Sequence, residues 1–71
     1  MRLPLVSGRE VVKALLRIGY FIVRQRGSHI RLYHPSRKAV SVPNHYEVDR
    51  KTLAGIITDA GLEQEEFLEL L

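Results

Sequence analysis

A histidine that directly follows a glycine turn is the strongest candidate for chemistry in this chain. Gly27 and Ser28 separate two segments rich in β-branched and aromatic residues, so the sequence predicts a tight turn with His29 at the start of a strand. An imidazole titrates near neutral pH and can take the proton of a ribose 2′-hydroxyl, whose oxygen then attacks the adjacent phosphate. The residue types are therefore suited to cleavage of RNA.

Three arginines are predicted to lie beside His29 on the solvent face, and they are Arg24, Arg26 and Arg31. Guanidinium groups stabilise the charge that develops on phosphate oxygens during such a reaction. The alternative is that His29 is a surface histidine on a basic strand that contacts phosphate or nothing. Spacing alone leaves both interpretations open.

The other two histidines have weaker patterns. His34 lies on the apolar side of its strand, which indicates a structural role, whereas His45 follows Pro43-Asn44 in a loop and is a candidate for a second acid/base or an RNA contact. The three histidines occupy different elements and lack the short spacing typical of metal ligands, so neither a metal site nor a cofactor is predicted. Ser28 has no orienting acid and is not predicted to be a nucleophile.

Aromatic residues on the predicted sheet have two interpretations. Tyr33 could stack on a base or pack against Arg31. If Phe21 and Val23 face the core, Tyr20 and Ile22 lie on the open face, where an exposed apolar pair suggests a protein partner or a cover formed by the termini.

These residues must be positioned by one small domain, residues 1–71, since the chain is 71 residues long. It contains no cysteine, so it has neither a disulfide nor a thiolate metal site.

Residues 1–38 hold nine basic residues and one acidic residue, whereas residues 39–71 hold two basic and seven acidic residues. This split favours a polyanionic partner for the first half, although solubilising charges are the alternative. No targeting or membrane-spanning segment is recognised, so we expect a cytoplasmic protein.

Hydrophobic periodicity predicts the supporting elements. A capping box at Ser7 begins a helix that Gly19 closes, and Asp49 begins a second helix that Gly61 closes. The predicted elements are a helix over residues 8–18, strands over 20–25, 29–34 and 39–42, a helix between 49 and 61, and a short last helix from 63. The fold class is α+β, with α-β-β-β-α order, a three-stranded antiparallel sheet and helices on one face. Double-stranded-RNA-binding domains have the same order, and this analogy concerns the fold.

Several of these segments also match a known family. They are Ser7–Ile18, Gly19-Tyr20-Phe21, Arg24–His29, Val42–His45, Thr52-Leu53, Ile56-Ile57, Ala60-Gly61-Leu62 and Glu65–Leu68. With these residues the chain resembles the HicA, or YcfA-like, toxins of bacterial and archaeal toxin–antitoxin systems. The combination of the Gly-Ser-His turn and the later Val-Pro-x-His segment is more specific than either alone.

The resemblance implies a metal-independent endoribonuclease that cleaves mRNA and arrests translation, with His29 as its catalytic residue. It also implies a HicB-type antitoxin that covers the active site. The predicted RNA-binding residues are Arg24, Arg26, Ser28, Arg31, Tyr33, Lys38 and His45. One departure concerns residues 46–49, which are acidic and apolar here, whereas many members have a basic or glycine-containing stretch. Two other functions stay open on the residues alone, a non-catalytic RNA-binding module and a domain whose basic face docks an acidic protein.

Overall fold

The computed structural model describes residues 3–71, and these residues form three helices and one sheet. The elements are α1 (Gly8–Leu16), β1 (Phe21–Arg26), β2 (His29–Tyr33), β3 (Val40–Pro43), α2 (Arg50–Asp59) and α3 (Gln64–Leu70). The predicted α+β class, element order and extra C-terminal helix are confirmed. Arg2, counted above among the basic residues, lies outside the described residues.

Both ends of α1 are fixed by local hydrogen bonds. The Ser7 hydroxyl accepts from the Glu10 backbone N–H, and the Glu10 carboxylate accepts from the Ser7 N–H, which is the predicted capping box. At the other end Gly19 has a φ of +101°, and the Tyr20 N–H donates to the Leu15 carbonyl at 3.2 Å. This bonding closes the helix two residues before the predicted end, because the last residues belong to the cap.

Both ends of α2 also follow the sequence. The Asp49 carboxylate accepts from the backbone N–H groups of Lys51 and Thr52, and the Leu62 N–H donates to the Ile57 carbonyl across the turn at Gly61. Residues 60–63 therefore connect α2 to α3 by a short turn, which places α3 against both α1 and α2.

The sheet is antiparallel with strand order β1-β2-β3. Ile30 lies opposite Val42 and Leu32 lies opposite Val40, and all four side chains are buried. Helices α1 and α2 both pack over β3 on this side, so the predicted covering of one sheet face is confirmed. Because successive strand residues point to opposite faces, the other face carries His29, Arg31 and Tyr33.

The predicted facing of the first strand is wrong. Tyr20 is 3% exposed and its hydroxyl donates to the Lys38 carbonyl at 2.7 Å, whereas Phe21 and Val23 are both exposed. The physical reason is twofold. The helices pack over β3 and leave the edge strand β1 largely uncovered, and Tyr20 precedes the strand and turns into the core.

No helix within residues 3–71 is long and apolar enough to cross a membrane.

Candidate functional site

The β1–β2 hairpin presents His29 at one end of the sheet. Arg26 and His29 lie opposite each other, so Gly27 and Ser28 form a two-residue loop between them. Gly27 has a φ of +57°, a left-handed conformation that favours glycine. The loop therefore returns the chain sharply and places the exposed His29 side chain on the open face.

A β-bulge aligns the arginines of β1 with this face. Val23 is the extra residue in β1, between the positions that pair Ile22 and Arg24 with β2. After the bulge the cross-strand partners are Arg24 with Arg31 and Arg26 with His29. Because residues directly opposite each other point to the same side of a sheet, Arg24 and Arg26 share the open face with His29.

The side chains on this part of the open face surround a shallow cleft of about 220 Å³, which we call the basic cleft. Its lining residues are Arg24, Arg26, His29, Arg31 and Ser41. Four of the five were predicted together from the sequence. The structure brings in the fifth, Ser41, because it lies opposite Arg31 in β3.

Arg31 is the best-positioned guanidinium of the basic cleft. Its Nη1 donates to the Ser41 hydroxyl oxygen at 3.0 Å, and its Cζ lies 5.7 Å from the centre of the Tyr33 ring. A hydrogen bond and a cation–π contact reduce the conformations that the long side chain samples. Arg31 is therefore held in place while its remaining N–H groups can bind an anion.

The basic cleft contains no carboxylate. Within residues 3–71 the only ion pair joins Lys38 to Asp59, and neither of these residues lines the basic cleft. Arg24, Arg26 and Arg31 therefore keep their positive charge without a protein counter-ion, and the cleft is suited to phosphate.

Two further predicted residues lie next to the basic cleft. The Ser28 carbonyl accepts from the Asn44 N–H at 2.5 Å, and the His45 carbonyl accepts from the Gly8 N–H at 2.9 Å. These bonds hold the loop after β3 beside the hairpin turn and the start of α1. A Cβ on Gly8 would lie 2.2 Å from the Pro43 carbonyl oxygen, so this approach requires glycine. The side chains of Ser28 and His45 are exposed.

Lys38 is not brought into the basic cleft. It lies in the turn after β2, at the opposite end of the strand from His29, and its Nζ is 3.6 Å from an Asp59 carboxylate oxygen. Of the predicted RNA-binding residues, Lys38 is thus the one that the fold places furthest along the sheet.

His34 has the structural position that its place in the strand predicted. Its Nε2 lies 2.8 Å from the Ile18 carbonyl, its Nδ1 accepts from the Ser36 N–H at 3.0 Å, and its ring packs edge-on against Tyr20. With Nε2 as donor and Nδ1 as acceptor, the neutral ring satisfies both partners. His34 therefore has no ring nitrogen left for chemistry.

Neither a cluster of metal ligands nor the larger cavity of the described chain offers a better candidate for binding phosphate. No three His, Asp or Glu side chains within residues 3–71 lie close enough to hold a metal ion. A larger cavity of about 810 Å³ lies where α2 meets α3, and Glu63, Glu65 and Glu66 are among its lining residues. Their negative charge disfavours phosphate, so the basic cleft is the better candidate.

Ser41 was missed by the sequence reasoning, although a signal was present. It lies between Val40 and Val42, and strand alternation places it on the open face once those two face the core. What the sequence did not give was the register that sets Ser41 opposite Arg31.

Comparison with known proteins adds to this geometry. Residues 8–62 match the family model described as the HicA toxin of bacterial toxin–antitoxin systems, and this segment is more than half of the chain. The chain belongs to the HicA toxin family. The match includes every residue of the basic cleft and the loop that carries His45. Comparison with curated proteins gave no significant match.

A solved structure supports the same assignment. One chain of the "Toxin-Antitoxin complex from Streptococcus pneumoniae" is 31% identical in sequence to this one and matches with a TM-score of 0.71. The match covers 80% of this chain and 98% of that chain. Family membership and this structural likeness support a toxin role for the protein.

Proposed function

We propose that this HicA family member is an endoribonuclease that cleaves mRNA without a metal ion, with the basic cleft as its active site. The observation that carries the proposal is the position of His29 among three arginines that have no carboxylate partner. An exposed imidazole can reach a ribose, and the surrounding guanidinium groups can hold the adjacent phosphate.

In the proposed reaction the neutral imidazole of His29 accepts the proton of a ribose 2′-hydroxyl. The 2′-oxygen forms a bond to the adjacent phosphorus, and the bond from phosphorus to the 5′-oxygen of the next nucleotide breaks. The products are a 2′,3′-cyclic phosphate and a 5′-hydroxyl, whose proton comes from water or from His29 after its protonation. Arg24, Arg26 and Arg31 stabilise the negative charge on the phosphate oxygens.

The requirement for a 2′-hydroxyl makes this chemistry specific for RNA, since DNA lacks the nucleophile. Arg31 is the arginine best suited to the transition state, because Ser41 and Tyr33 already hold it in position. Ser28 and His45, which lie beside the basic cleft, are further proposed RNA contacts, whereas Lys38 lies at the opposite end of β2 and is paired with Asp59.

We also propose a HicB-type antitoxin as the partner that inhibits the protein. The related solved structure is a complex of toxin and antitoxin. A partner that places acidic side chains in the basic cleft blocks the substrate and stabilises this small domain at once. Because it binds only the folded state, saturating antitoxin is expected to raise Tm by mass action. An unchanged Tm at saturation contradicts this mode of inhibition.

One observation favours a second candidate, a non-catalytic RNA-binding module. His29 is the only histidine that lines the basic cleft, and no carboxylate lines it, so the cleft itself supplies no second imidazole or carboxylate as acid/base. A module of this kind binds RNA with strong salt dependence and leaves it intact.

The deciding experiment incubates purified protein with single-stranded RNA in excess EDTA and resolves the products on a gel. Wild type, His29→Ala and His45→Ala are purified identically. We expect cleavage by wild type and a loss of about 10²–10⁴-fold in rate for His29→Ala. Intact RNA with wild type favours the binding module, and equal cleavage by His29→Ala eliminates His29 as the base. A comparable loss in His45→Ala identifies His45 as the second acid/base.

A further inference from the structure

The open face of the sheet has an aromatic end as well as a basic end. We propose that Phe21 and Tyr33 form an aromatic platform that stacks unpaired bases of single-stranded RNA, several nucleotides from the bond at His29. This inference rests on the proposed function, since it names the substrate form and a subsite for the same site.

The strand register places both aromatic residues at one position on the same face of the sheet. Phe21 and Tyr33 are direct cross-strand partners in β1 and β2, so their side chains leave the same face of the sheet. Tyr33 alternates with the buried Leu32, which assigns that face as the open one. The Phe21 and Tyr33 side chains are 49% and 47% exposed. Apolar rings that remain half exposed on a sheet face are available to a planar ligand.

The bulge at Val23 makes the platform continuous with the basic cleft. Strict alternation along β1 would place Phe21 and Arg24 on opposite faces, whereas the extra residue returns both to the open face. One face of the sheet thus carries rings at one end and cationic groups at the other. This order matches a nucleic acid strand, in which planar bases and anionic phosphates follow the same path.

Arg31 joins the two ends. Its guanidinium bonds to Ser41 at the edge of the basic cleft and lies over the Tyr33 ring at 5.7 Å. A phosphate bound to Arg31 therefore brings the base of a neighbouring nucleotide close to Tyr33. Arginine and aromatic side chains in this arrangement are typical of proteins that bind single strands without reading base edges.

The spacing sets which nucleotide reaches the platform. His29 and Tyr33 are four residues apart on one strand, and a rise of about 3.4 Å per residue separates their Cα atoms by about 13–14 Å. At about 3.4 Å per nucleotide in a stacked strand, this distance corresponds to about four nucleotides, and to fewer in an extended strand. RNA too short to span the two ends loses the contact.

The platform requires bases that are not paired. In a duplex the base faces are stacked inside the helix, so neither ring can reach them without opening the duplex. We therefore expect the face to prefer single-stranded RNA, although the fold has the element order of a double-stranded-RNA-binding domain. An antitoxin docked on the same rings is the competing explanation, and it gives different results in the test below.

The test measures RNA binding in the His29→Ala background, so that cleavage does not interfere. The probes are an RNA strand of about 12 nucleotides, within the range of known single-strand sites, the same strand annealed to its complement, and strands with one abasic position. The variants are Phe21→Leu and Tyr33→Leu, which remove a ring and keep an apolar side chain. Phe21→Tyr and Tyr33→Phe keep the ring. Tyr46→Leu is the matched control, because Tyr46 is 94% exposed and lies outside the sheet.

We expect each leucine variant to raise the Kd for the single strand about tenfold, and the ring-preserving variants and Tyr46→Leu to leave it unchanged. The salt dependence should stay the same in the leucine variants, since no phosphate contact is lost. An abasic site a few nucleotides from the cleavage position should raise the Kd of the His29→Ala protein. The same abasic site should raise the Kd of the Tyr33→Leu variant by little, because the ring that stacks on this base is already absent. Circular dichroism confirms that each variant is folded.

Two results overturn the platform. One is equal affinity of the His29→Ala protein and its leucine variants for the single strand. If the leucine variants then weaken only the binding of the antitoxin, the rings bind the antitoxin and not RNA. The other is equal affinity for the single strand and the duplex. The proposed function fails separately, when protein with His29 intact does not cleave the same RNA. A ring-dependent single-strand affinity without cleavage retains the platform and removes the nuclease.

Discussion

Histidine and arginine side chains occur at both ends of the sheet, but they are bonded differently at the two ends. At the hairpin end His29, Arg24 and Arg26 are exposed and Arg31 is half-buried, and all four lack acidic partners. At the far end, where β2 leads into the turn before β3, the polar groups are bonded to the protein itself. This far-end cluster consists of Tyr20, His34, Arg37, Lys38 and Asp59.

The far-end cluster fastens the turn after β2 to the helices. Arg37 donates from Nη1 to the Ala60 carbonyl at 2.7 Å, where it satisfies the C-terminus of α2. Burial raises the pKa of the Tyr20 hydroxyl, and the Arg37 guanidinium acts in the opposite direction. Tyr20 therefore stays a neutral donor to the Lys38 carbonyl. The proposed chemistry thus uses the histidine and arginines that have no acidic partner, whereas His34 and Arg37 are bonded to backbone groups of the fold.

The largest expected contrast is between the two histidines. Replacing His34 with alanine leaves the Ile18 carbonyl and the Ser36 N–H without their partner, and we expect the free energy of unfolding to fall by about 1–3 kcal/mol. The exposed His29→Ala should change it by less than about 0.5 kcal/mol. Urea unfolding followed by circular dichroism measures both. Equal destabilisation by the two variants breaks the comparison.

Two glycines sharpen the same contrast, because both have positive φ but only one is packed. Gly19→Ala brings a Cβ to 3.1 Å from His34 Nε2, whereas a Cβ on Gly27 has no heavy atom within 4 Å. Gly27→Ala is expected to cost about 1–2 kcal/mol from left-handed backbone strain alone, and Gly19→Ala should cost more.

Gly55→Ala is the control for these two variants, because Gly55 lies in α2 with a helical backbone and open space around it. It should stabilise the protein by about 0.5–1 kcal/mol. Thermal unfolding of the three variants ranks their stabilities, and we expect Gly55→Ala to be the most stable and Gly19→Ala the least. A larger loss for Gly27→Ala than for Gly19→Ala contradicts the tight packing at the far end.

Salt dependence of RNA binding separates the basic residues of the two ends. Arg24→Gln should reduce the slope of log affinity against log salt by about one, as expected for one lost phosphate contact. Lys38→Gln should leave the slope unchanged, since Lys38 lies far from the basic cleft and is paired with Asp59. Fluorescence titrations at several salt concentrations measure the slopes. An equal reduction for both variants extends the RNA path to the far end.

The smallest effect concerns the cap of α2, which belongs to neither end. The Thr52 hydroxyl and the Lys51 N–H donate to Asp49 and hold the pKa of its carboxyl below the usual range. Because the pKa is lowered in the folded state, the ionised cap stabilises the protein above the carboxyl's ordinary pKa. This contribution is lost as the pH falls through the lowered value.

Asp49→Asn is the variant that isolates this effect, since asparagine caps a helix without titrating. Unfolding measured between about pH 5 and pH 2 should show a weaker pH dependence in Asp49→Asn than in wild type. Identical pH profiles remove Asp49 as a source of acid sensitivity.

Much of the fold could be predicted because local patterns and tertiary packing agree. The capping box at Ser7, the cap at Asp49 and the turn at Gly27 were each predicted from a few neighbouring residues, and each is present. The element ends differ by one or two residues, because caps and strand ends depend on bonds to other segments. The predicted facing of β1 was wrong partly because no helix within residues 3–71 covers this edge strand and Tyr20 turns inward, and partly because of the bulge. Strict alternation has no means of locating a bulge at Val23.

The sequence alone determined the elements, the open face of β2 and the candidates His29, Arg24, Arg26 and Arg31, since these depend on residue type and a period of two. Only the tertiary structure decided which charges meet. It placed Ser41 against Arg31 and buried the Tyr20 side chain. It paired Lys38 with Asp59 at the end of the sheet opposite the basic cleft. It also set Phe21 beside Tyr33. These outcomes depend on strand register and on where the helices cover the sheet, and both are settled by contacts between residues far apart in the chain.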